Sequence, residues 1–571
     1  MPRLSTRAAS ALLLLASSVT AFPAQQIVFG NGKSTAGTAG AVASESRECS
    51  EIGRRILAAG GNAVDSLVST TLCVGVIGMY HSGIGGGGFL LVRDADGAYE
   101  AIDFRETAPA AAYEDMFRGN VAGSVYGGLS VGVPGEIRGL QYAHEKYGSM
   151  AWREVVMPAV EVARGGFRVS SDLVRYMDNA LAIRGYNFLV QEPEWAQDFA
   201  PNGTLLVEGD TMTRKRYADT LEKIAIHGPD AFYTGEIAES MVKTIQASNG
   251  TMTLQDLQDY RIEVREPLSV EYRNYTLHSV GAPASGAICL SNLKIMEQYD
   301  IEDWADVALS VHRFDEAMRY AYGARMQFGD PAFVKGVSDL ETMLLDTETA
   351  RTIRSKIDDY ATKPVEAYNP MKLVTSEGQG TSHIVTADSS GMATTLTTTI
   401  NLLFGAQLMD GVTGVILNDE MNDFSIPGVS NEFGFAPSRA NFIRPGKRPL
   451  SSVTPVIVDS SSGALYMTVG AAGGSRIISS TTQVIWHVIE HNMTLTEALQ
   501  RPRQHDQLLP NWVTFEYKFD NGTVDAMRER GHNVTWVREG FSAVQGVRLG
   551  EDGVFEPASE PRQKNSGGFS V

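Results

Sequence analysis

The chain has 571 residues, 43% of them hydrophobic, enough to bury a large core. Length alone suggests about three or four domains. A formal charge of −19 argues against a phosphate-backbone partner, which would need basic patches, so no nucleic-acid partner is expected.

Arg3 and Arg7 precede an apolar run, Ala8 to Val19, and Val19-Thr20-Ala21 offers small residues for cleavage before Phe22. This predicts a secretory signal peptide over residues 1–21; the run is short for a bilayer, and a signal anchor is the lesser alternative. No other run is long enough to span a membrane, so no stable span is expected. Secretion predicts glycosylation at the sequons of Asn202, Asn249, Asn274, Asn492, Asn521 and Asn533. Delivery to a vacuole stays open beside secretion. Cys49 and Cys73 are candidates to pair in an oxidising pathway, and Cys289, in AICLSNL, reads as a buried inert thiol.

No low-complexity linker divides the rest. Glu45 to Val76 has helical spacing broken at Gly60-Gly61, and Ser82 to Gly88 is a glycine-rich loop. Phe89 to Phe104 reads as a hairpin. From Gly135 to about Tyr260 the pattern is mostly helical. Thr381 to Asn401 reads as a hairpin turning at Ser389-Ser390-Gly391, Gly463 to Val469 as a short strand, and Trp512 to Phe555 as β-type runs. Such alternation without linkers predicts one interwoven α+β domain.

Two motifs fail on context. Gly83 to Gly88 has the spacing G-x-G-x-x-G, but a strand, not a helix, follows, so a tight turn is the better reading. Gly128 to Gly132 matches G-x-S-x-G around Ser130, yet Val133-Pro134-Gly135 separates it from a helix expected to start near Pro134. A Ser130 hydrolase is kept as the runner-up function. The ten histidines are scattered, no H-E-x-x-H occurs, and no metal or cofactor is expected. His383, two residues after Thr381, is either a base for a hydroxyl or a packed strand residue.

Gly380-Thr381 poses the sharper question. A threonine hydroxyl is a weak nucleophile without a base. An N-terminal threonine carries one, its own α-amine, titrating near 7.7–8.0 in model compounds. Cutting the Gly380–Thr381 bond would create it, and glycine tolerates the backbone that such a cut demands. Elsewhere Glu420 and Asp423 pair two acids, Ser451 and Ser452 two hydroxyls, Gly473 and Gly474 two unhindered N–H groups, and Arg105 supplies a guanidinium. Together these suit a ligand with an α-amino acid head and a carbonyl to be attacked.

The chain resembles the γ-glutamyltranspeptidases, N-terminal-nucleophile hydrolases that include the glutathione hydrolases. The resemblance rests on GGNAVDS (60–66), HSGIGGGGF (81–89), FRETAP (104–109), GVPGEIRG (132–139), GTSHIV (380–385), TTTINLLFG (397–405), TGVILNDEMNDFS (413–425), PGKRPLSSVTP (445–455) and AAGGSRI (471–477). RPRQHDQLLPN (501–511) and ASEPR (558–562) agree too.

It implies a four-layer αββα sandwich, made as a precursor and cut into a large fragment, 22–380, and a small catalytic fragment, 381–571, that remain together as a heterodimer. Thr381 is then nucleophile and processing residue, and Thr399 hydrogen-bonds and orients it. Gly473 and Gly474 stabilise the oxyanion. Arg105, with Ser451 and Ser452, holds the substrate α-carboxylate; Asn401, Glu420 and Asp423 hold its α-ammonium. Implied substrates are glutathione and other γ-glutamyl compounds, with amino acid or dipeptide acceptors and no cofactor. Glu420, where some relatives carry Gln, favours γ-glutamyl ligands over the glutaryl cephalosporins that a related group deacylates. Ala284-Ser285-Gly286 departs mildly from the family's Ser-Ser-Gly. An inactive binding protein of the same fold is the non-enzymatic alternative.

Overall fold

The computed structural model describes residues 37–300, 305–374, 380–429 and 436–571. The expected signal peptide, 1–21, lies outside them. Thirteen strands form two large antiparallel sheets. The first has the order Gly567–Ser570, Gly40–Ser44, Ser382–Asp388, Ala393–Thr399, Gly87–Arg93, Tyr99–Asp103, Glu263–Arg265. The second runs Phe555–Ala558, Ala543–Leu549, Leu465–Ala472, Val456–Ser460, Tyr275–Ser279, Leu268–Tyr272.

Period-two alternation assigns the layers. In Gly87–Arg93, Leu90 and Val92 pack with the helix Ala63–Ile77. Phe89 and Leu91 instead join Val456 and Val469 of the second sheet. Helices Gly286–Met296 and Arg476–Glu490 cover that sheet from outside, through residues such as Ile288 and Trp486. Helix, sheet, sheet, helix is the expected four-layer sandwich. The described residues form one unit, not the three or four domains that length alone suggests.

Local chemistry accounts for the elements nearest the centre. Gly60-Gly61 ends the helix Arg47–Ala58. Asn62 then opens Ala63–Ile77 with a reciprocal cap: its side chain accepts from Asp65 N and the Asp65 carboxylate accepts from Asn62 N, each at 3.0 Å. The threonines of Ala393–Thr399 are buried, yet they find partners. Thr394 shares a 2.6 Å bond with Thr386, and Thr398 donates to the Glu136 carboxylate.

Cys49 and Cys73 form a disulfide joining the first two helices across 24 residues of sequence. Closing a loop of that length stabilises by about 3 kcal/mol. The double variant Cys49→Ala/Cys73→Ala should lose about that much, read as a lower melting temperature by calorimetry. Burial pushes the Cys289 thiol up to about 12, so it is inert at neutral pH.

Three expectations need correction. The helix Asn521–Glu529 interrupts the stretch 512–555 read as β-type runs. Its Asp520 cap, accepting from Thr523 N at 2.7 Å, was the missed signal. The helix after Ser130 is Glu136–Tyr147, two residues later than Pro134. Scattered histidines also converge: His312 Nδ1 and His532 Nε2 lie 2.8 Å apart, beside buried Glu316. Among the described residues this is the group that could hold a metal ion, and one shared proton also satisfies it. No described helix is long and apolar enough to cross a membrane.

Candidate active site

The strand Ser382–Asp388 lies inside the first sheet, and Thr381 immediately precedes it. Gly380 has φ +128°, and a Cβ there would lie 2.4 Å from the Asn401 carbonyl oxygen. Both facts require glycine. The Thr381 hydroxyl donates to the Gly380 carbonyl oxygen. The Thr399 hydroxyl donates to the same oxygen at 2.9 Å and accepts from Asn401 N at 2.7 Å. Thr399 was expected to bond Thr381; with the peptide intact, the Gly380 carbonyl lies between the two hydroxyls. Two donors on one carbonyl draw electron density from its carbon. Gly380→Ala should therefore leave uncut chain accumulating, seen on a denaturing gel.

The charged end of the cleft is built from two segments. Arg105 follows the strand Tyr99–Asp103, its N–H held by Asp103 Oδ1 at 2.9 Å. The single turn Glu420–Asp423 presents both of its acids to that guanidinium, Glu420 to one terminal nitrogen and Asp423 to the other. Arg105 is thus engaged by the two acids rather than turned alone toward a ligand carboxylate, as expected from the sequence. The reason is proximity: the acids approach it more closely than any other anion in the cleft. Burial would lower the Arg105 pKa, but Glu420, Asp423 and Glu106 outweigh it and raise it.

Glu106 and Asp419 were missed from the sequence, although both lie within the quoted motifs. Burial pushes Glu106 up to about 8, and raises Glu420 and Asp419 well above the usual carboxylate range. Three buried acids, Glu106, Glu420 and Asp423, surround one guanidinium, an excess of carboxyl groups that suits a second cation. Asn401, at φ +70°, ties the end of the threonine strand to this turn, its Nδ2 donating to the Asp419 carbonyl at 3.1 Å.

Ser451 and Ser452 line the same cleft, directly after Leu450, whose carbonyl accepts from Arg105 at 3.5 Å. Ser451 Oγ accepts from Val453 N at 3.2 Å. Ser452 Oγ accepts from Arg325 at 2.9 Å, and Arg325 also donates to Ser285 Oγ at 3.0 Å. Arg325 ends the helix Val307–Arg325 and belongs to no quoted motif, so nothing short of the fold identified it. It lines the same cleft as Arg105, Thr381, Thr399, Asn401 and Gly474.

Gly473 and Gly474 turn the chain from the strand Leu465–Ala472 into the helix Arg476–Glu490, with φ of +127° and +61°. A Cβ on Gly473 would lie 2.5 Å from the Phe541 carbonyl oxygen. A helix N-terminus carries partial positive charge, which suits an oxyanion. Gly474 faces the cleft with Arg105; Gly473 lines a second groove, and Thr381 lines both.

The competing motifs resolve differently. Ser130 sits on the short turn Gly128–Ser130, buried, its hydroxyl given to the Gly127 carbonyl at 2.7 Å. No strand leads into it, so it is not a nucleophile elbow. The glycine-rich loop is a close crossing: a Cβ on Gly86 would lie 2.0 Å from the Thr399 carbonyl oxygen. His383 packs between the sheets, bonded to Thr397 at 2.8 Å and Thr395 at 3.1 Å. Both ring nitrogens are thus engaged away from Thr381, and burial lowers its pKa to about 3, too weak a base for a hydroxyl.

A four-layer αββα sandwich with a threonine opening a central strand defines the N-terminal-nucleophile hydrolase class. Within that class the chain belongs to the γ-glutamyltranspeptidase family, whose profile matches residues 49–569. It is similar to a glutathione hydrolase proenzyme of Arthroderma benhamiae, 49% identical over 94% of this chain and 93% of that one. A glutathione hydrolase of Aspergillus flavus is 47% identical over 93% and 89%. Among solved structures, a cephalosporin acylase from Bacillus halodurans shares the fold, with TM-score 0.81 and 24% identity over 96% of this chain and 99% of that one. A Helicobacter pylori γ-glutamyltranspeptidase chain gives TM-score 0.54 and 30% identity over 59% of this chain and 96% of that one.

Proposed function

We propose that the protein is a secreted γ-glutamyltranspeptidase and glutathione hydrolase that cuts itself between Gly380 and Thr381. In the cut, Thr381 Oγ bonds to the Gly380 carbonyl carbon, the C–N bond breaks, and water hydrolyses the resulting ester. The products are a large fragment ending at Gly380 and a small one beginning with Thr381. The freed α-amine is then the general base. Thr381 Oγ gives it a proton and attacks the γ-carbonyl of glutathione or another γ-glutamyl amide. Gly473 and Gly474 N–H groups hold the oxyanion, each worth about 10²–10³ in rate. Thr399 positions the nucleophile. Arg105, Ser451 and Ser452 take the α-carboxylate, and Asn401, Glu420 and Asp423 take the α-ammonium. The γ-glutamyl ester passes to water or to the amine of an amino acid or dipeptide. The chain's residues supply each step, so no metal or cofactor enters the scheme.

The observation that carries this reading is one cleft lined by both Thr381 and the Arg105–Glu420–Asp423 cluster. The name proenzyme in the Arthroderma relative supports processing. So does the Helicobacter chain, nearly all of which matches while covering 59% of this one. Secretion is supported by the signal-like residues 1–21, the Cys49–Cys73 disulfide and six sequon asparagines that are all exposed.

The test is an intact mass spectrum of the purified, deglycosylated and denatured protein. Two fragments are expected, the smaller beginning Thr-Ser-His-Ile. A single stable chain without activity on γ-glutamyl amides would leave an inactive binding protein of this fold.

A further inference from the structure

The helix Val307–Arg325 carries His312 and Glu316 one turn apart, at i and i+4, and so on one face. His532 reaches them from beyond the helix Asn521–Glu529, 220 residues later in the chain than His312. All three are buried. His312 Nδ1 lies 2.8 Å from His532 Nε2, and Glu316 Oε1 lies 4.0 Å from that same nitrogen. None of the three lines the cleft or the groove at Thr381.

The outer contacts decide which ring nitrogens carry hydrogen. His312 Nε2 faces the Asp358 carbonyl oxygen at 2.8 Å, and a carbonyl accepts, so that nitrogen donates. His532 Nδ1 lies 3.2 Å from Asp315 Oδ2, and the carboxylate likewise draws the hydrogen to Nδ1. Neutral rings in these tautomers turn two lone pairs toward each other. The Glu316 carboxylate stands beside them, held by Tyr368 Oη at 2.6 and 2.8 Å and by Thr362 Oγ at 2.6 Å. Two lone pairs and an anion facing one point repel unless a cation lies between them. Histidines whose outer N–H is held by a carboxylate or a carbonyl are the usual form of metal-bound histidine.

The surroundings favour a positive guest. Asp315, Glu316 and Asp506 are fully buried, and neither Asp315 oxygen has a hydrogen-bond partner among the described residues. Against them stand Arg319, paired with Asp506 at 2.6 Å, and Arg530, half-buried and donating to the Asp359 and Ala526 carbonyls. With neutral rings the acids outnumber the cations, a costly imbalance in a buried place. A proton would serve the line between the two nitrogens and leave Glu316 outside it. A metal ion engages all three side chains.

We propose that His312 Nδ1, His532 Nε2 and the Glu316 carboxylate bind one divalent metal ion, zinc being the ion these ligands suit. Imidazole and carboxylate bind zinc at about 2.0–2.2 Å, and the second Glu316 oxygen supplies a fourth donor. Tetrahedral bonds of that length set the two nitrogens about 3.3 Å apart, so the rings part by about half an ångström. No position is left for a substrate. His312 is also about 20 Å along its helix from Arg325 at the cleft, so the ion is structural. Its ligands come from both sides of the proposed cut: His312 and Glu316 from the large fragment, 22–380, and His532 from the small one, 381–571. Resting on that cut, the ion is a clip between the fragments.

The test begins with metal content. Protein purified without a metal-affinity tag is dialysed against zinc, then against zinc-free buffer, and its zinc is counted by elemental mass spectrometry. About one zinc per chain is expected in the wild type and in uncut Thr381→Ala, because the site does not need the cut. His532→Gln puts an amide near the place of Nε2; it can still donate to His312 Nδ1 but is a poor zinc ligand, so the metal should be lost. Asp315→Asn should weaken zinc binding about 10–100-fold in competition with a chromogenic chelator. Chelated cut enzyme should release its small fragment at lower urea than zinc-loaded enzyme, read by size-exclusion chromatography. Wild type without zinc, or undiminished zinc in His532→Gln, would overturn the site and leave the shared proton. Release at equal urea would overturn the clip. A wild-type chain that is never cut would overturn the processing and the clip with it, while its zinc count still decides the site.

Discussion

Thr381→Ala should yield one uncut chain without γ-glutamyl transfer. The variant keeps the fold, because the strand Ser382–Asp388 and its neighbours lose one hydroxyl and one methyl at their edge. It loses the oxygen proposed to attack the Gly380 carbonyl, and hence the N-terminal amine that would serve as base. Removing a nucleophile of this kind lowers turnover by about 10⁴-fold or more. Thr381→Ser should restore both cutting and transfer at reduced rates, since the hydroxyl and the amine return. Gel analysis reads the first property and steady-state kinetics the second. An alanine variant that still cuts at this bond would remove Thr381 from the mechanism.

Arg105→Lys should raise KM for γ-glutamyl substrates about tenfold or more with a smaller change in kcat. Lysine keeps the charge that the buried Glu420, Asp423 and Glu106 require, so an unpaired acid cluster is avoided. What it lacks is the planar fork. Arg105 can exchange one of its acid partners for a ligand carboxylate while holding the other, and a point charge on a flexible stem cannot. The grip precedes the chemistry, so its loss falls on binding. Arg105→Ala is the less informative change. Leaving buried carboxylates without their cation costs about 3–5 kcal/mol, and misfolding would mask the effect on KM. An unchanged KM in Arg105→Lys would exclude Arg105 from substrate binding.

Much of the fold was legible because its signals are local. The break at Gly60-Gly61, the hairpin after Phe89 and the alternation of the threonine strand each follow from a few adjacent residues. The helix Asn521–Glu529 was hidden because its polar face and short length resemble a β-type run beside true strands. The candidate site was legible as motifs but not as geometry. Arg105 and Glu420 are separated by some three hundred residues, and nothing local says that they pair. Arg325 illustrates the limit: its contact with Ser452 exists because a long helix ends beside the cleft, a fact of packing rather than of pattern. Ser130 failed for the opposite reason, since a five-residue motif carried no information about the strand it needed.

The first sheet alternates its origins. Gly40–Ser44 lies between Gly567–Ser570 and Ser382–Asp388, while Ala393–Thr399 pairs with Gly87–Arg93. A break at residue 380 therefore leaves no seam along which the pieces can part without tearing the sheet. The disulfide joins residues 49 and 73, both before the break, and tethers nothing across it. Folding, which begins as the search of one chain, would become after the cut a meeting of two. The finished molecule would then depend on never unfolding, because at low concentration its halves would drift apart faster than they could reassemble. Heat inactivation of the cut form should accordingly worsen on dilution during cooling, while the uncut Thr381→Ala chain should recover at a rate independent of concentration.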